Sequence, residues 1–396
     1  MDATQKIRIL KGSAKYDICS SSNPRSEMHK SSSAFSNQVN LENLGGVYQS
    51  LTPRGCSALF KVLQSNKCQH NCGYCANAKT HNIERTSLAP EELASTFAEL
   101  QGKKIVQGLF LSSAVDDTPE KTMARMIKTV EIVKYKYNFN GYIHLKIMPG
   151  ASESTIAQAC RLASRVSVNM EAPSEMHLKR LSKTKKYLEI LNTINIITKY
   201  MKKGYLPSGQ TTQFVVGASG ETDQNLLNTS ENLYHKNSLR RVYFSAFSPI
   251  EGTLLENTRR ADPTREHRLY QCDFLIREYG FKSAELVYTP HGQLPLAIDP
   301  KLNYALKHPE LFPVEINSAP PDLLLKVPGI GPLSAKRIAQ LRMKDPFREL
   351  RNLKGIGLAI KRAKPFILIN GKKQGNFPII KHQLAFNFSL AQEEVI

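Results

Sequence analysis

The run Ala58-Leu59-Phe60-Lys61-Val62-Leu63, then Gln64-Ser65-Asn66-Lys67, then Cys68-Gln69-His70-Asn71-Cys72-Gly73-Tyr74-Cys75, decides how this chain is read. The first part is a short apolar run and predicts a strand. The last part packs three of the seven cysteines into one loop with the spacing C-x3-C-x2-C. Three thiolates so close can hold one metal centre. Structural zinc sites want four ligands; no second Cys/His pair stands nearby at zinc-finger spacing, although His70 and His81 offer a fourth ligand. A 4Fe–4S cluster on three thiolates leaves one iron open to a substrate or cofactor. Cys19, Cys56, Cys160 and Cys272 are scattered singly and read as ordinary small buried or loop residues.

Downstream of the cysteine loop, apolar strands alternate with helices. A helix opens at Pro90-Glu91-Glu92, with acids in its first turn. Strands are expected at 108–113, 142–148, 166–171, 212–216 and 241–245, with helices from Thr118-Pro119 to about Lys136, over 153–163, near 185–202 and near 223–236. Six strands separated by helices of crossover length mean parallel pairing in right-handed βαβ units. The pattern fits a partial (β/α)6 barrel or an open doubly wound sheet, and periodicity does not separate them. No G-x-G-x-x-G follows the first strand, which weakens a dinucleotide-binding reading. In a barrel-like array the chemistry sits at the strand C-termini, which is where the cysteine loop falls.

C-x3-C-x2-C with an aromatic residue before the last cysteine, on the loop after the first strand of a βα array, resembles the radical S-adenosylmethionine (radical SAM) superfamily. The resemblance implies a 4Fe–4S cluster on Cys68, Cys72 and Cys75, and SAM chelating the fourth iron by its amino and carboxylate groups. Reductive cleavage of SAM then gives methionine and a 5′-deoxyadenosyl radical that abstracts a hydrogen atom, the electron coming from a donor such as flavodoxin or ferredoxin. Cofactor contacts are implied for Tyr74 in the cysteine loop and for Ser112-Ser113-Ala114 at the end of the second strand. Ala114 departs from the glycine expected there. Asn169 and Glu171, two apart on the fourth strand, suit a SAM ribose or carboxylate, an internal salt bridge being the plainer use of Glu171. Gly217, in Val215-Val216-Gly217-Ala218-Ser219-Gly220-Glu221, and Ser245, in Ser245-Ala246-Phe247-Ser248-Pro249, are implied beside the adenine. His144, Lys146 and Met148 share a strand face that either lines the reaction chamber or turns outward under a helix.

The C-terminal side has another texture. Leu325-Lys326-Val327-Pro328-Gly329-Ile330-Gly331-Pro332 and, further on, Leu353-Lys354-Gly355-Ile356-Gly357 each place two glycines in a turn between short amphipathic segments. Such turns expose N–H groups at a helix start, where anions bind. Gly329, Gly331, Lys336 and Arg337 in the first copy, with Gly355, Gly357, Lys361 and Arg362 in the second, look like a tandem helix-hairpin-helix module, which grips a nucleic-acid backbone without reading bases. Packing of the hairpins against protein alone is the plainer reading. The whole chain carries a formal charge of +20 over 396 residues, and 41% apolar with 22% charged residues excludes general disorder.

The expected architecture is α/β: a loop-like N-terminal extension over 1–50, a TIM-like radical SAM partial barrel over 51–312, a small all-α tandem helix-hairpin-helix domain over 313–370, and a tail over 371–396. The combination resembles the bacterial family of DNA modification and repair radical SAM proteins, whose members are often associated with a uracil-DNA-glycosylase-like protein; the likeness includes Ala14-Lys15-Tyr16-Asp17 and Arg265-Glu266-His267-Arg268-Leu269-Tyr270-Gln271. It implies a radical enzyme acting on nucleic acid, with DNA the expected form. Radical chemistry on a protein or small molecule, with the hairpins as a docking module, is one rival. A non-catalytic nucleic-acid-binding protein with a structural metal is another. With no secretory signal, no apolar run long enough to span a membrane and an odd cysteine count, a cytoplasmic location is expected.

Overall fold

Strand β2 (Gly55–Leu63) contains the apolar run that precedes the cysteines. Its alternation turns Phe60 and Val62 to one side and Lys61 and Leu63 to the other. The computed structural model describes residues 1–14, 46–52 and 55–378. Within residues 1–50, expected as largely loop with room for one short helix, the described parts are helix α1 (Ala3–Ala14) and the start of strand β1 (Val47–Thr52), which pairs antiparallel with β2. The Ser/Asn-rich run with Cys19, the Lys15-Tyr16-Asp17 segment and the tail from residue 379 lie outside the described residues.

From β2 onward every pairing is parallel: β3 (Gly108–Ser112), β4 (Tyr142–Lys146), β5 (Arg165–Ser167), β6 (Gln210–Val216) and β7 (Arg241–Ala246) lie side by side in chain order. Between them run α2 (Pro90–Gly102), α3 (Pro119–Glu131, prolonged by a π turn to Lys136), α4 (Glu153–Leu162), α5 (Glu175–Leu181), α6 (Tyr187–Lys202) and α7 (Asp223–Asn237). Local sequence starts these helices where they start. Pro90 and Pro119 occupy the first turn, and Thr118, Ser152, Ser174 and Thr222 accept from the backbone N–H three residues on. A doubly wound sheet reverses its strand order at a switch point; this one never does. Right-handed crossovers then put all the helices on one face, and the sheet is a curled seven-stranded half-barrel. Among the described residues β7 pairs only with β6, so the curl stays open.

The outward strand positions form the core: Phe60, Leu109, Leu111, Ile143, Leu145, Val166, Phe214, Val242 and Phe244 are almost fully buried. Strand β5 is shorter than the 166–171 expected. Glu171 takes φ +65°, Met170 N donates to Thr212 Oγ1 (3.0 Å), and pairing resumes only as an isolated bridge from Glu171 to Phe214. Cys160, under the sheet in α4, and Cys272 are both buried.

Two compact units divide the chain, Met1–Tyr270 and Gln271–Ile396. The division falls inside α8 (Pro263–Tyr279), so residues 271–312, expected with the barrel, group with the hairpins. Their contacts explain it: Phe281 packs edge-on against Tyr304, and Lys326 pairs with Glu285 (2.7 Å) while its ammonium lies 3.6 Å from the Phe281 ring centre. The second unit holds α9 (Pro300–Lys307), α10 (Pro321–Lys326), α11 (Pro332–Leu341) and α12 (Ile360–Ala363). It also holds a three-stranded sheet of β8 (Val314–Glu315), β9 (Ile367–Ile369) and β10 (Lys372–Lys373), which corrects the all-α expectation. The second hairpin is mostly 3₁₀ turns around the four-residue α12. No helix among the described residues is long and apolar enough to cross a membrane.

Candidate functional site

The loop that carries the cysteines leaves β2 at Leu63 and is pinned at its base. Gln64 N donates to Ser112 O (2.8 Å), Thr86 N donates to Asn66 Oδ1 (2.8 Å), and Asn66 Nδ2 donates to Glu84 O (2.8 Å). Arg85 then reaches across the loop. Its guanidinium donates to the carbonyls of Asn66 (2.6 Å), Asn77 (2.8 Å), Ala78 (2.5 Å) and His81 (2.7 Å). A planar fork of five N–H donors suits such a set of converging carbonyls. Neither Asn66 nor Arg85 was a candidate from sequence, because their partners are main-chain atoms that no residue pattern marks.

The loop opens on a cavity of about 340 Å³ at the C-terminal ends of the strands. Cys68, Cys72 and Cys75 all line it, as do Tyr74, Ser112 and Ser113. Ala114, Asn169, Glu171 and Ser245 complete the expected set. Lys146 and Met148 also face the cavity, whereas His144 lies below it, stacked on Phe110 with ring centres 4.1 Å apart. Gly217 is not among the lining residues. It takes φ +93°, and a Cβ there would stand 2.7 Å from Ala261 Cβ. Its N–H donates to Glu221 (2.5 Å), which also accepts from Ser219 N and Oγ and pairs with Arg265 (3.2 Å). The glycine motif is therefore a turn next to β6, held by hydrogen bonds to the buried Glu221.

Burial sets the electrostatics. It pushes the Cys75 thiol up to about 12 and raises Cys72 as well, with the neighbouring thiols adding to the effect. The Tyr74 phenol is held protonated by burial, then by Cys72 and Glu171. Lys185 is the residue that sequence reasoning missed. Its Nζ donates to Glu171 Oε1 (2.8 Å) and to Tyr74 Oη (3.1 Å). Burial works against its charge, but Glu171 and the thiols outweigh that and raise its pKa. Glu171 thus has one oxygen in the salt bridge foreseen as its plainer use, while Oε2 is buried without a hydrogen-bond partner. An orphaned carboxylate oxygen at a cavity wall is a receptor for a ligand donor.

The donor set fits a cluster better than a single ion. Among the described residues no three His, Cys, Asp or Glu side chains converge tightly enough to hold one metal ion. His81 Nδ1 is committed to Ala76 O (2.7 Å), and His70 Nδ1 to Thr184 Oγ1 (2.9 Å). A cubane asks for something else: each thiolate takes its own iron at a separate corner, and three cysteines spaced around one cavity supply that.

In the second unit the two glycine turns have different surroundings. Gly329 (φ +88°) is closed in: a Cβ would lie 2.6 Å from Ala359 O, and Ala359 N donates to Gly329 O (2.8 Å). The adjacent Ile330 O accepts from Lys301 (2.5 Å), whose ammonium burial has lowered to about 7. Arg337 donates to Ile356 O (2.9 Å), and Arg362 pairs with Asp299 (2.6 Å). Four of the eight residues expected to meet phosphate, Gly329, Gly357 (beside Arg337), Arg337 and Arg362, are engaged in hairpin-to-hairpin packing or an internal ion pair. Gly331 is half-buried near Tyr279, and Gly355, Lys336 and Lys361 are exposed. The asymmetry has a measurable consequence. Gly329→Ala meets a fixed carbonyl and a left-handed φ, and is expected to cost about 2–4 kcal/mol. Gly355→Ala, at φ +82° in open space, is expected to cost only about 1–2 kcal/mol. Thermal melting of the two full-length variants checks the difference, and equal losses would sink it.

Known proteins resemble this chain in both units. Residues 62–233 match the model of the radical SAM superfamily, and residues 312–362 match a helix-hairpin-helix motif. No curated protein matches. Among solved structures, methylornithine synthase (PylB) is 18% identical over 52% of this chain and 59% of its own, with a TM-score of 0.44. HydG, a maturase of the [FeFe]-hydrogenase, is 12% identical over 54% of this chain and 48% of its own, also at 0.44. A radical SAM methyltransferase from Sphaerobacter thermophilus is 15% identical over 57% of this chain and 65% of its own, at 0.43. This chain thus spans less than two thirds of each of those proteins. The superfamily's cofactors are a 4Fe–4S cluster and SAM, and the sequence match, the half-barrel and the cysteine-lined cavity agree: residues 62–233 carry a radical SAM domain, and residues 312–362 carry a helix-hairpin-helix motif.

Proposed function

We propose that this enzyme acts on nucleic acid, with DNA the expected form, in modification or repair. When bound, the 4Fe–4S cluster and SAM supply a 5′-deoxyadenosyl radical that takes a hydrogen atom from substrate. In this reading Cys68, Cys72 and Cys75 hold the cluster. Ser112, Ser113, Asn169, Glu171 and Ser245 hold SAM, Glu171 through its unpartnered Oε2, and Lys185 fixes that carboxylate and the Tyr74 phenol in place. The apolar lining, including Leu63, Val215 and Phe247, keeps water from the reacting atoms.

The observation that carries the nucleic-acid half is the exposed second glycine turn, flanked by the exposed Lys354 and Lys361, in a segment from Glu315 to Lys373 with a net charge of +9. Backbone N–H groups and exposed lysines suit phosphate oxygens. Replacing Lys336, Lys354 and Lys361 together by alanine is expected to weaken DNA binding by the reconstituted enzyme at least about tenfold. The slope of log K against log salt should fall by about one for each phosphate no longer neutralised. Fluorescence anisotropy with DNA and RNA of one sequence reads both effects and ranks the two polymers. Unchanged affinity and slope in the triple variant would overturn the assignment. A flavodoxin- or ferredoxin-type electron donor, a uracil-DNA-glycosylase-like partner and a cytoplasmic setting complete the proposal; the free thiols Cys68, Cys72, Cys75 and Cys160 are in keeping with a reducing compartment.

A further inference from the structure

The inner face of the half-barrel carries a charge pattern that the cofactor site does not explain. Strands β2 to β7 contain no aspartate or glutamate, yet they contain Lys61, His144, Lys146, Arg165 and Arg241. All five stand at inward positions. The parallel register aligns Lys61 with Phe110, Phe110 with His144 and His144 with Arg165; it also aligns Lys146 with Ser167, Ser167 with Thr211 and Thr211 with Arg241. Lys146 lines the cysteine cavity, whereas Arg165 and Arg241 stand at the first positions of β5 and β7 and are not among its lining residues.

Two of the five are specific. Neither Arg165 nor Arg241 forms an ion pair among the described residues. Arg165 donates from Nε to Ser208 O (3.1 Å), and its guanidinium lies 6.0 Å from the Tyr142 ring centre. The Arg241 guanidinium lies 4.9 Å from the Tyr243 ring centre, and its Nε is buried with no partner. Its register neighbour Thr211, 2% exposed, has Oγ1 without a partner too. Two unfilled hydrogen-bonding atoms side by side, both able to donate, mark a place for an acceptor-rich group. Tyr142 and Tyr243, each beside one of these arginines, also stand at inward positions of β4 and β7. Tyr142, Arg165, Arg241 and Tyr243 are half-buried rather than sealed.

Arg241 lies four residues before Ser245 on β7, and Ser245 lines the cysteine cavity. At about 3.3 Å per residue the separation is about 13 Å, close to the length of one nucleotide with its phosphate. Arginine forks match phosphate oxygens two at a time, and tyrosine rings offer faces for a base or sugar.

We propose that the inner face of the half-barrel is a nucleotide chamber, with a terminal phosphate held by Arg165, Arg241 and Thr211 and the rest of the nucleotide extending toward the cysteine cavity. This rests on reading that cavity as the radical source and narrows the substrate to a phosphomonoester, either a free nucleotide or the phosphorylated end of a strand. Calorimetry on the anaerobically reconstituted enzyme tests it with four probes: deoxythymidine 5′-monophosphate, deoxythymidine, and one single-stranded oligodeoxynucleotide with and without a terminal phosphate. At least one phosphorylated probe is expected to bind about tenfold or more tighter than its unphosphorylated partner. Arg241→Met and Arg165→Met should remove that preference, Arg241→Lys should keep part of it, and Thr211→Val should reduce it a few-fold. The hairpin triple variant should leave binding of the monophosphate unchanged. Cluster absorbance and circular dichroism show which variants remain folded, and the comparison of probes on unaltered protein stands without any variant. If the monophosphate binds and the oligonucleotides do not, the chamber stands and the polymer assignment falls. If neither phosphorylated probe is preferred, the chamber is wrong, whatever the hairpins bind.

Discussion

Cys72→Ala protein stays colourless after anaerobic reconstitution with iron and sulfide, while the unaltered chain takes up about four irons. The same loss is expected for Cys68→Ala and Cys75→Ala, because three thiolates are the fewest that hold a cubane with one open corner. Cys160 is the control. It is as buried as Cys72, and burial raises its thiol too, in its case to about 12, but it lies in α4 away from the cavity. Cys160→Ala is therefore expected to keep full iron content and the visible absorbance. Reductant and SAM should yield 5′-deoxyadenosine from the control and none from the three loop variants. A loop variant that binds iron normally and cleaves SAM would remove the cluster assignment altogether.

The second large effect belongs to a residue that touches no metal. Arg85→Ala leaves the carbonyls of Asn66, Asn77, Ala78 and His81 without their shared donor. Hydrogen bonds to a charged group are worth about 1.5–3 kcal/mol each, and partly buried carbonyls left unpaired add to the loss. The sheet does not depend on these bonds, so far-ultraviolet circular dichroism should change little. Hydrogen exchange should show weaker protection across residues 66–86, and reconstituted iron content should fall by more than half. Arg85→Lys, with three donors on a flexible stem and no planar fork, should restore only part of both. Wild-type iron content and protection in Arg85→Ala would show that the cysteine loop holds its shape without the clamp.

Much of the fold was legible because buried parallel strands are written in plain apolar runs. Leu109-Phe110-Leu111 and Phe214-Val215-Val216 could hardly be anything else, and the cysteine spacing announced its own chemistry. What escaped was set by tertiary packing. Val47-Tyr48-Gln49-Ser50-Leu51-Thr52 has too little apolar content to stand out from its Ser/Asn-rich surroundings, and becomes a strand because β2 offers it an edge. Half-barrel and doubly wound sheet share one periodicity and part only on strand order. Lys185 sits in a basic turn that reads as solvated surface, and only the folded chain brings it to Glu171. The two glycine turns look alike in sequence; one is enclosed by Ala359 and the other is open because of what packs on each. His144 and Lys146 could be placed on one strand face from sequence, but only the register brings Arg165 beside His144 and Arg241 beside Thr211.

Strand order that follows chain order also bears on how the molecule is made. Each βα unit docks on the one just before it, so most early contacts are short in sequence and the sheet can grow as the chain leaves the ribosome. The cysteine loop emerges near the start of this process, but the cavity's walls run from Leu63 to Ile250. For the time it takes to synthesise almost two hundred further residues the three thiols have a clamp and no roof. That interval is a window in which cluster assembly has open access from solvent, and in which oxidants have it too.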